Sequence, residues 1–260
     1  MKEPEIVPDK IKSPFDLRAL VGIAVLVISF HIIVNFVVTP EDSETIVSVF
    51  SILNPLIVTS IGFFVAMKYR GTQVFGKSLI YLSFGFLSVF LAEVTYAIYD
   101  IVYDIDPYPS IADIFFFMLY PLLIAYLIIN IKFFTKKINR YAKIWIIAMP
   151  IAVLAGYSTL SISEEIDILG FDFWYGIIFV YIVSQTLSIA VVGAAILKQG
   201  IIGKAWLLLA IGILLLMIGD VWYYNLELFE GYDLTHPVNL FWYGGYWVIV
   251  YGLYKHKKDI

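Results

Sequence analysis

Long apolar runs joined by short polar connections make up most of this chain. The runs fall at about residues 18–38, 46–67, 78–99, 111–134, 143–160, 173–197, 204–226 and 238–254. Most approach the roughly 20 residues that ~30 Å of hydrocarbon requires of a helix. The pattern predicts eight helices, with the fifth, which contains Pro150, among the shortest.

Composition gives the environment of those helices. Hydrophobic residues make up 61% of the chain, charged residues 15%, and the mean hydropathy is +0.89. An all-α, polytopic integral membrane protein is the class that fits such values. The first 17 residues mix Glu3, Glu5, Asp9 and Asp16 with lysines, and the next apolar run is too long for a signal-peptide core. No cleaved targeting segment is expected.

Charge is sorted by side. All 17 Lys and Arg residues lie in the N-terminal tail, the even-numbered connections or the C-terminal tail. The positive-inside rule therefore predicts a cell-membrane protein with both termini cytoplasmic. Of the 21 acids, only Glu3, Glu5, Asp9, Asp16 and Asp259 share that side. The outer face is acidic and has no fixed cation. Its loop acids Glu41, Asp42, Glu44, Glu164, Glu165 and Asp167 can be there simply because Lys and Arg are excluded, but acids placed within helices need another reason.

The helical acids recur. Glu93, Tyr96, Asp100 and Tyr103 correspond to Asp220, Tyr223, Glu227 and Glu230 at an offset of 127 residues, as do Gly76-Lys77 to Gly203-Lys204 and Gly85 to Gly212. At an offset of 126, Ser110 pairs with His236, Asp113 with Asn239, Phe115-Phe116 with Phe241-Trp242, and Tyr120 with Tyr246; Ser60-Ile61-Gly62 matches Ser188-Ile189-Ala190 at 128. This predicts two parallel four-helix repeats, residues 18–137 and 138–255, between short cytoplasmic tails at 1–17 and 256–260. Helices three and four would face helices seven and eight.

On an α-helix the offsets +3 and +7 share a face, so each copy reads as a stripe of carboxylate and phenol near the outer end of a span. A lone carboxylate at such a depth costs on the order of 3 kcal/mol, so it needs a proton, a hydrogen bond, or a cation held by aromatic faces. Glu93 and Asp220 are the deep acids of a candidate ligand-binding cavity, with Tyr96 and Tyr223 as orienting phenols and Asp100 and Glu227 nearer the surface. A plain helix-to-helix clip is the competing reading of the same residues. Asp113 reads first as part of a capping box with Ser110, and His236, before Pro237, as a cap or first-turn residue; both border the cavity. His31, Asn35, Asn54 and Gln185 read as interhelical hydrogen-bonding groups.

Absent parts narrow the chemistry. The chain has no cysteine, which removes disulfides, thiol catalysis and cysteine-ligated metals. It has no phosphate-binding glycine loop, HExxH or GxSxG. No EF-hand spacing occurs, and one outer histidine is too few for a transition-metal site, so the metal ligands stay unassigned. No cofactor is expected. No basic face interleaved with aromatics suits nucleic acid.

Ala92-Glu93-Val94-Thr95-Tyr96 followed by DPYPSIADIFFFMLYPLL at 106–123 resembles the multi-helix N-terminal membrane segments that precede histidine kinases and diguanylate cyclases in archaea and bacteria. The likeness covers about 35 residues and returns, diverged, over 219–247. It implies a sensory or anchoring module. No output domain follows within the 260 residues, so the expectation is signalling through a membrane partner. Met217-Ile218-Gly219-Asp220 is similar to a stretch of eight-helix lysoplasmalogenase-like membrane hydrolases, which implies instead paired carboxylates working on a lipid headgroup. A transporter or cation pathway is the third class. Its polar residues would be Ser51, Thr59, Ser60, Ser184, Gln185 and Ser188 of helices two and six, because Leu207–Ile218 of helix seven is apolar apart from Gly212.

The orientation is directly testable in a chain without cysteine. A membrane-impermeant maleimide added to intact cells should label Asp167→Cys and leave Lys136→Cys unlabelled until the cells are opened; the reverse pattern would place the termini outside.

Overall fold

The computed structural model describes residues 16–72, 74–105, 107–164, 167–197, 203–229, 232 and 236–258. Glu3, Glu5, Asp9, Asp16's tail neighbours Lys2, Lys10 and Lys12, and also Glu165, Lys198, Glu230, Asp233 and Asp259, lie outside the described residues or among their undescribed neighbours, Asp16 itself being described. The described residues form eight α-helices: α1 Leu17–Phe36, α2 Pro40–Lys68, α3 Phe75–Ala97, α4 Ile111–Phe134, α5 Arg140–Ser163, α6 Phe171–Leu197, α7 Gly203–Leu226 and α8 Asn239–Lys258. A π-helical turn, Ile98–Val102, extends α3.

Helices α1 to α7 are long and apolar enough to cross a membrane. α8 has 20 residues but falls short in hydropathy, because Trp242, Tyr243, Tyr246, Trp247, Tyr251 and Tyr254 replace aliphatic residues with amphipathic rings. Much of the outer surface is apolar, with Val25, Ile28, Phe84, Ile147, Ile151 and Ile178 all exposed. Such a surface belongs against lipid.

Two helices differ in extent from their apolar runs. α2 starts at Pro40, so Glu41 and Asp42 occupy its first turn and Glu44 follows in the same helix rather than in a loop. Thr39 caps that start, accepting from the Asp42 amide at 3.4 Å, and the acids suit the positive end of the helix dipole. α5 runs 24 residues through Pro150 and is not among the shortest; α1 and α8 have 20 each. Asn139 caps α5, accepting from the Ala142 amide at 2.7 Å, and carries the helix beyond its apolar stretch.

Six helices close a ring of neighbours in the order α2, α3, α4, α6, α7, α8 and back to α2. α1 lies outside against α8 and α2, and α5 packs on α6. The ring interior is dry and close-packed, with Leu82, Phe86, Leu123, Leu209, Ile213 and Ile249 completely or almost completely buried. Gln185 and Ser188 of α6 donate to the Ile146 and Trp145 carbonyls of α5, at 3.3 and 3.1 Å, so Gln185 does bridge helices. Asn35 pairs with His31 one turn away on its own helix, at 3.1 Å, and the Asn54 amide nitrogen is buried without a partner among the described residues.

The α7–α8 contact is set by small residues. A β-carbon on Gly212 would lie 2.9 Å from the Gly245 carbonyl oxygen, and one on Gly252 would lie 2.8 Å from Leu209 Cδ2. Close backbone approach through small residues is how helices pack when lipid removes the hydrophobic drive between them. Gly212→Val should lower stability in detergent by about 1–3 kcal/mol through overpacking, measured by thermal unfolding, whereas Gly156→Ala, whose β-carbon meets nothing within 4 Å, should leave it unchanged or raised.

Candidate functional site

The ends of the bundle carry opposite charge. Lys68 ends α2 and Arg70 follows it, Lys132 lies in the last turn of α4 with Lys136 and Lys137 just beyond, Arg140 and Lys143 begin α5, and Lys255 lies near the end of α8. Tyr69, Phe75, Trp206 and His256 tie those termini together, with Phe75 and Trp206 stacked at 4.9 Å and Tyr69 hydroxyl 3.3 Å from His256 Nδ1. The opposite end, where α3, α5 and α7 finish and α4, α6 and α8 start, collects every candidate site residue.

Asp220 of α7 is held from two sides. Tyr120 of α4 donates to its Oδ2 at 3.2 Å and Trp242 of α8 donates to its Oδ1 at 2.9 Å. The neighbouring residue makes the second bond possible, since a β-carbon on Gly219 would lie 2.7 Å from Trp242 Nε1. Three helices thus converge on one half-buried carboxylate.

Glu93 of α3 is half-buried at a comparable depth but accepts no hydrogen bond among the described residues. Aromatic hydroxyls surround it at longer range. Tyr243 lies within electrostatic range of Glu93, and Tyr246 within range of both Glu93 and Asp220. Among the described residues, Tyr246 is therefore the one ring that senses both acids.

The phenols on the same helices do not orient these acids. Tyr223 packs edge-on to Tyr232 at 5.4 Å and, tilted, against Trp242 at 5.7 Å between ring centroids. Tyr96 is 44% exposed. The donors to Asp220 come instead from facing helices, α4 and α8. Tyr120, Tyr246 and Trp242 were missed as site residues, although the 126-residue correspondence of Tyr120 with Tyr246 was the available signal.

The outer members of the two stripes leave the helical face. Asp100 sits in the π-helical turn, exposed, where the wider turn breaks the α-helical register. Glu227 lies just beyond α7 and accepts from the Tyr232 amide at 3.1 Å. Tyr103, paired edge-on with Tyr99 at 6.3 Å, is exposed, and its counterpart Glu230 lies outside the described residues.

Asp113 lies in the first turn of α4 and His236 just ahead of α8. Ser110 and Asp113 form the capping box: the Ala112 amide donates to Ser110 Oγ at 3.1 Å and the Ser110 amide to Asp113 Oδ2 at 2.6 Å. The Val238 amide donates to His236 Nδ1 at 3.1 Å, so His236 takes the place of Ser110 at the entry to α8. Asp113 has a further partner, since Tyr175 of α6 donates to its Oδ1 at 2.8 Å. In the connection before α4, Tyr108 donates to Asp172 at 3.1 Å. Burial first, and then that bond, push the Tyr108 phenol up, so it remains a neutral donor.

Among the described residues no group of three His, Cys, Asp or Glu side chains comes together as a metal site. No family model, curated protein or solved structure matches the chain.

If Asp220 ties α4 to α8, Tyr120→Phe and Trp242→Phe should each lower stability by about 0.5–2 kcal/mol, and Gly219→Ala should act like Trp242→Phe by displacing the indole. Thermal unfolding in one detergent, with Tyr103→Phe as an exposed control, measures all four; wild-type stability in both donor variants would remove the tie.

Proposed function

We propose that the chain is an eight-span membrane module of two parallel four-helix repeats, with cytoplasmic termini, that binds a small cation or cationic ligand at its acidic, aromatic end and serves as a sensory component. Glu93 is the binding carboxylate. Asp220 is its structural counterpart, and Tyr96, Tyr223, Asp100, Glu227, Asp113 and His236 border the approach.

The repeat reading draws support from the ring of neighbours. Advancing each helix by four turns the α2–α3–α4 arc into α6–α7–α8, and the α4–α6 seam into the α8–α2 seam. On that correspondence Tyr120, the donor to Asp220, becomes Tyr246 beside Glu93. Trp242, the second donor, becomes Phe116, which has no donor group. The carrying observation is this divergence: the same carboxylate position is doubly hydrogen-bonded in one repeat and unpaired in the other. A partly exposed carboxylate among phenol rings, on a face without fixed cations, suits a cationic group.

Two other readings have less behind them. Acid and base work on a lipid headgroup would draw on two carboxylates free to act together, and Asp220 is already held by two donors. A conduction pathway would need polar residues beneath the site, where Leu82, Phe86, Leu123, Leu209, Ile213 and Met217 are buried. The hydroxyls of Ser184 and Ser188 are engaged with backbone carbonyls. Binding coupled to a membrane partner is left as the strongest reading.

Thermal unfolding of the detergent-purified protein against metal cations, alkylamines and tetramethylammonium tests it. A cation that raises the wild-type midpoint should act at least about tenfold more weakly on Glu93→Gln, itself as stable as wild type or more so because the cost of a carboxylate in hydrocarbon is removed. Asp220→Asn should lower stability without ligand yet keep a response. An unchanged response in Glu93→Gln, or no response to any cation, would overturn the assignment.

A further inference from the structure

Away from the acidic end, α1, α2 and α8 enclose a cavity of about 520 Å³, a size typical of small-molecule sites at ~300–1,000 Å³. Ile23 of α1, Ile61 and Phe64 of α2, and Trp247, Tyr251 and Tyr254 of α8 line it, and Phe64 and Tyr254 are exposed at its rim. Apart from Trp247, near the middle of α8, these residues lie in the half of each helix nearer the basic end. Its walls are almost wholly apolar, so in a bilayer a hydrocarbon chain fills it more favourably than water.

Its polar features are placed for a headgroup. Lys68 Nζ lies 5.6 Å from the centroid of Phe64, and Lys255 Nζ lies 5.3 Å from that of Tyr251, so both ammonium groups lean over rings of the lining. Arg18 stands on α1 just toward the basic end from Ile23. Each of the three helices therefore carries a cation beyond the same end of the cavity. Two residues of the lining also hold buried polar atoms without hydrogen-bond partners, Trp247 Nε1 and the Tyr251 hydroxyl. Tyr251 is one turn, about 6 Å, above Lys255, the depth at which ester carbonyls follow a phosphate.

The geometry points to a binding site for a membrane phospholipid of net negative headgroup, with one acyl chain in the groove, the phosphate against Lys68 and Lys255, and an ester carbonyl accepting from Tyr251. Basic clusters at the cytoplasmic edge of membrane helices attract anionic lipid with about 1 kcal/mol per cation, which is about fivefold in affinity. The site is independent of the acidic end and stands whether or not Glu93 binds a ligand.

Native mass spectrometry of the detergent-purified protein, titrated with phosphatidylglycerol, phosphatidylcholine or glycerol phosphate, tests the site. Phosphatidylglycerol should be retained at least about fivefold better than phosphatidylcholine, and glycerol phosphate should not be retained. The paired substitution Lys68→Gln with Lys255→Gln should abolish the preference while leaving phosphatidylcholine retention unchanged, and Ser60→Trp, which fills the groove without touching the cations, should reduce both lipids. Equal retention of the two lipids, a preference that survives loss of both lysines, or retention of glycerol phosphate alone would overturn the proposal. Should Ser60→Trp fail to fold, the lysine pair decides.

Discussion

A carboxylate placed in a membrane-spanning helix must find its donors within the protein, because hydrocarbon offers none. Asp220 meets that demand with a tyrosine from α4 and an indole from α8, and in doing so joins three helices at one atom group. Its neighbour Gly219 admits the indole, and Gly212 and Gly245 bring the α7 and α8 backbones together one layer deeper. The position of the acid, the smallness of the residues beside it and the closure of the ring are consequences of one constraint. Glu93 meets the same constraint incompletely, which is why the binding reading rests on it.

Polar groups elsewhere follow the same economy of donors. Ser83, Ser88, Thr186 and Ser184 return their hydroxyls to carbonyls three or four residues back along their own helices, so they cross the bilayer without leaving a group unpaired. Ser188 and Gln185 use theirs to hold α5 to α6. The acidic end is different, since Asp113, Asp172 and Glu227 all lie at helix ends, the first two accepting from tyrosines distant in the chain and the third from a nearby amide. Chains of phenol and carboxylate there join α4, α6 and α7 without any fixed cation. An acidic face built in this way is stable by hydrogen bonding and still attractive to a positive ligand.

The two proposed sites use opposite physics. At the acidic end a carboxylate lies among phenol rings, and charge complementarity selects the ligand. At the basic end the walls of the α1–α2–α8 groove are apolar and the cations stand at its rim, so shape admits a chain and charge chooses the headgroup. α1 is the element through which the second site exists, since without it α2 and α8 would present only an open seam.

Helix number, approximate helix limits and the charged ends were legible in the sequence, because the length of an apolar run and the sorting of lysine are imposed by the bilayer itself. The capping roles of Ser110, Asp113 and His236 were legible too, since they depend on neighbours within three residues. The first turn of α2 was not, because Glu41 and Asp42 read as a loop until Thr39 and Pro40 started the helix ahead of them. Nor was the path of the acid stripe past Glu93, which a π-helical turn diverts at Ile98. The 127-residue correspondence marked Glu93 and Asp220 as alike, but only tertiary structure decided that the donors to Asp220 come from facing helices and that Glu93 accepts no hydrogen bond among the described residues. Sequence correspondence reports which positions are alike; which donor reaches which oxygen is a matter of distances across helix packing, and those arise only when the ring closes.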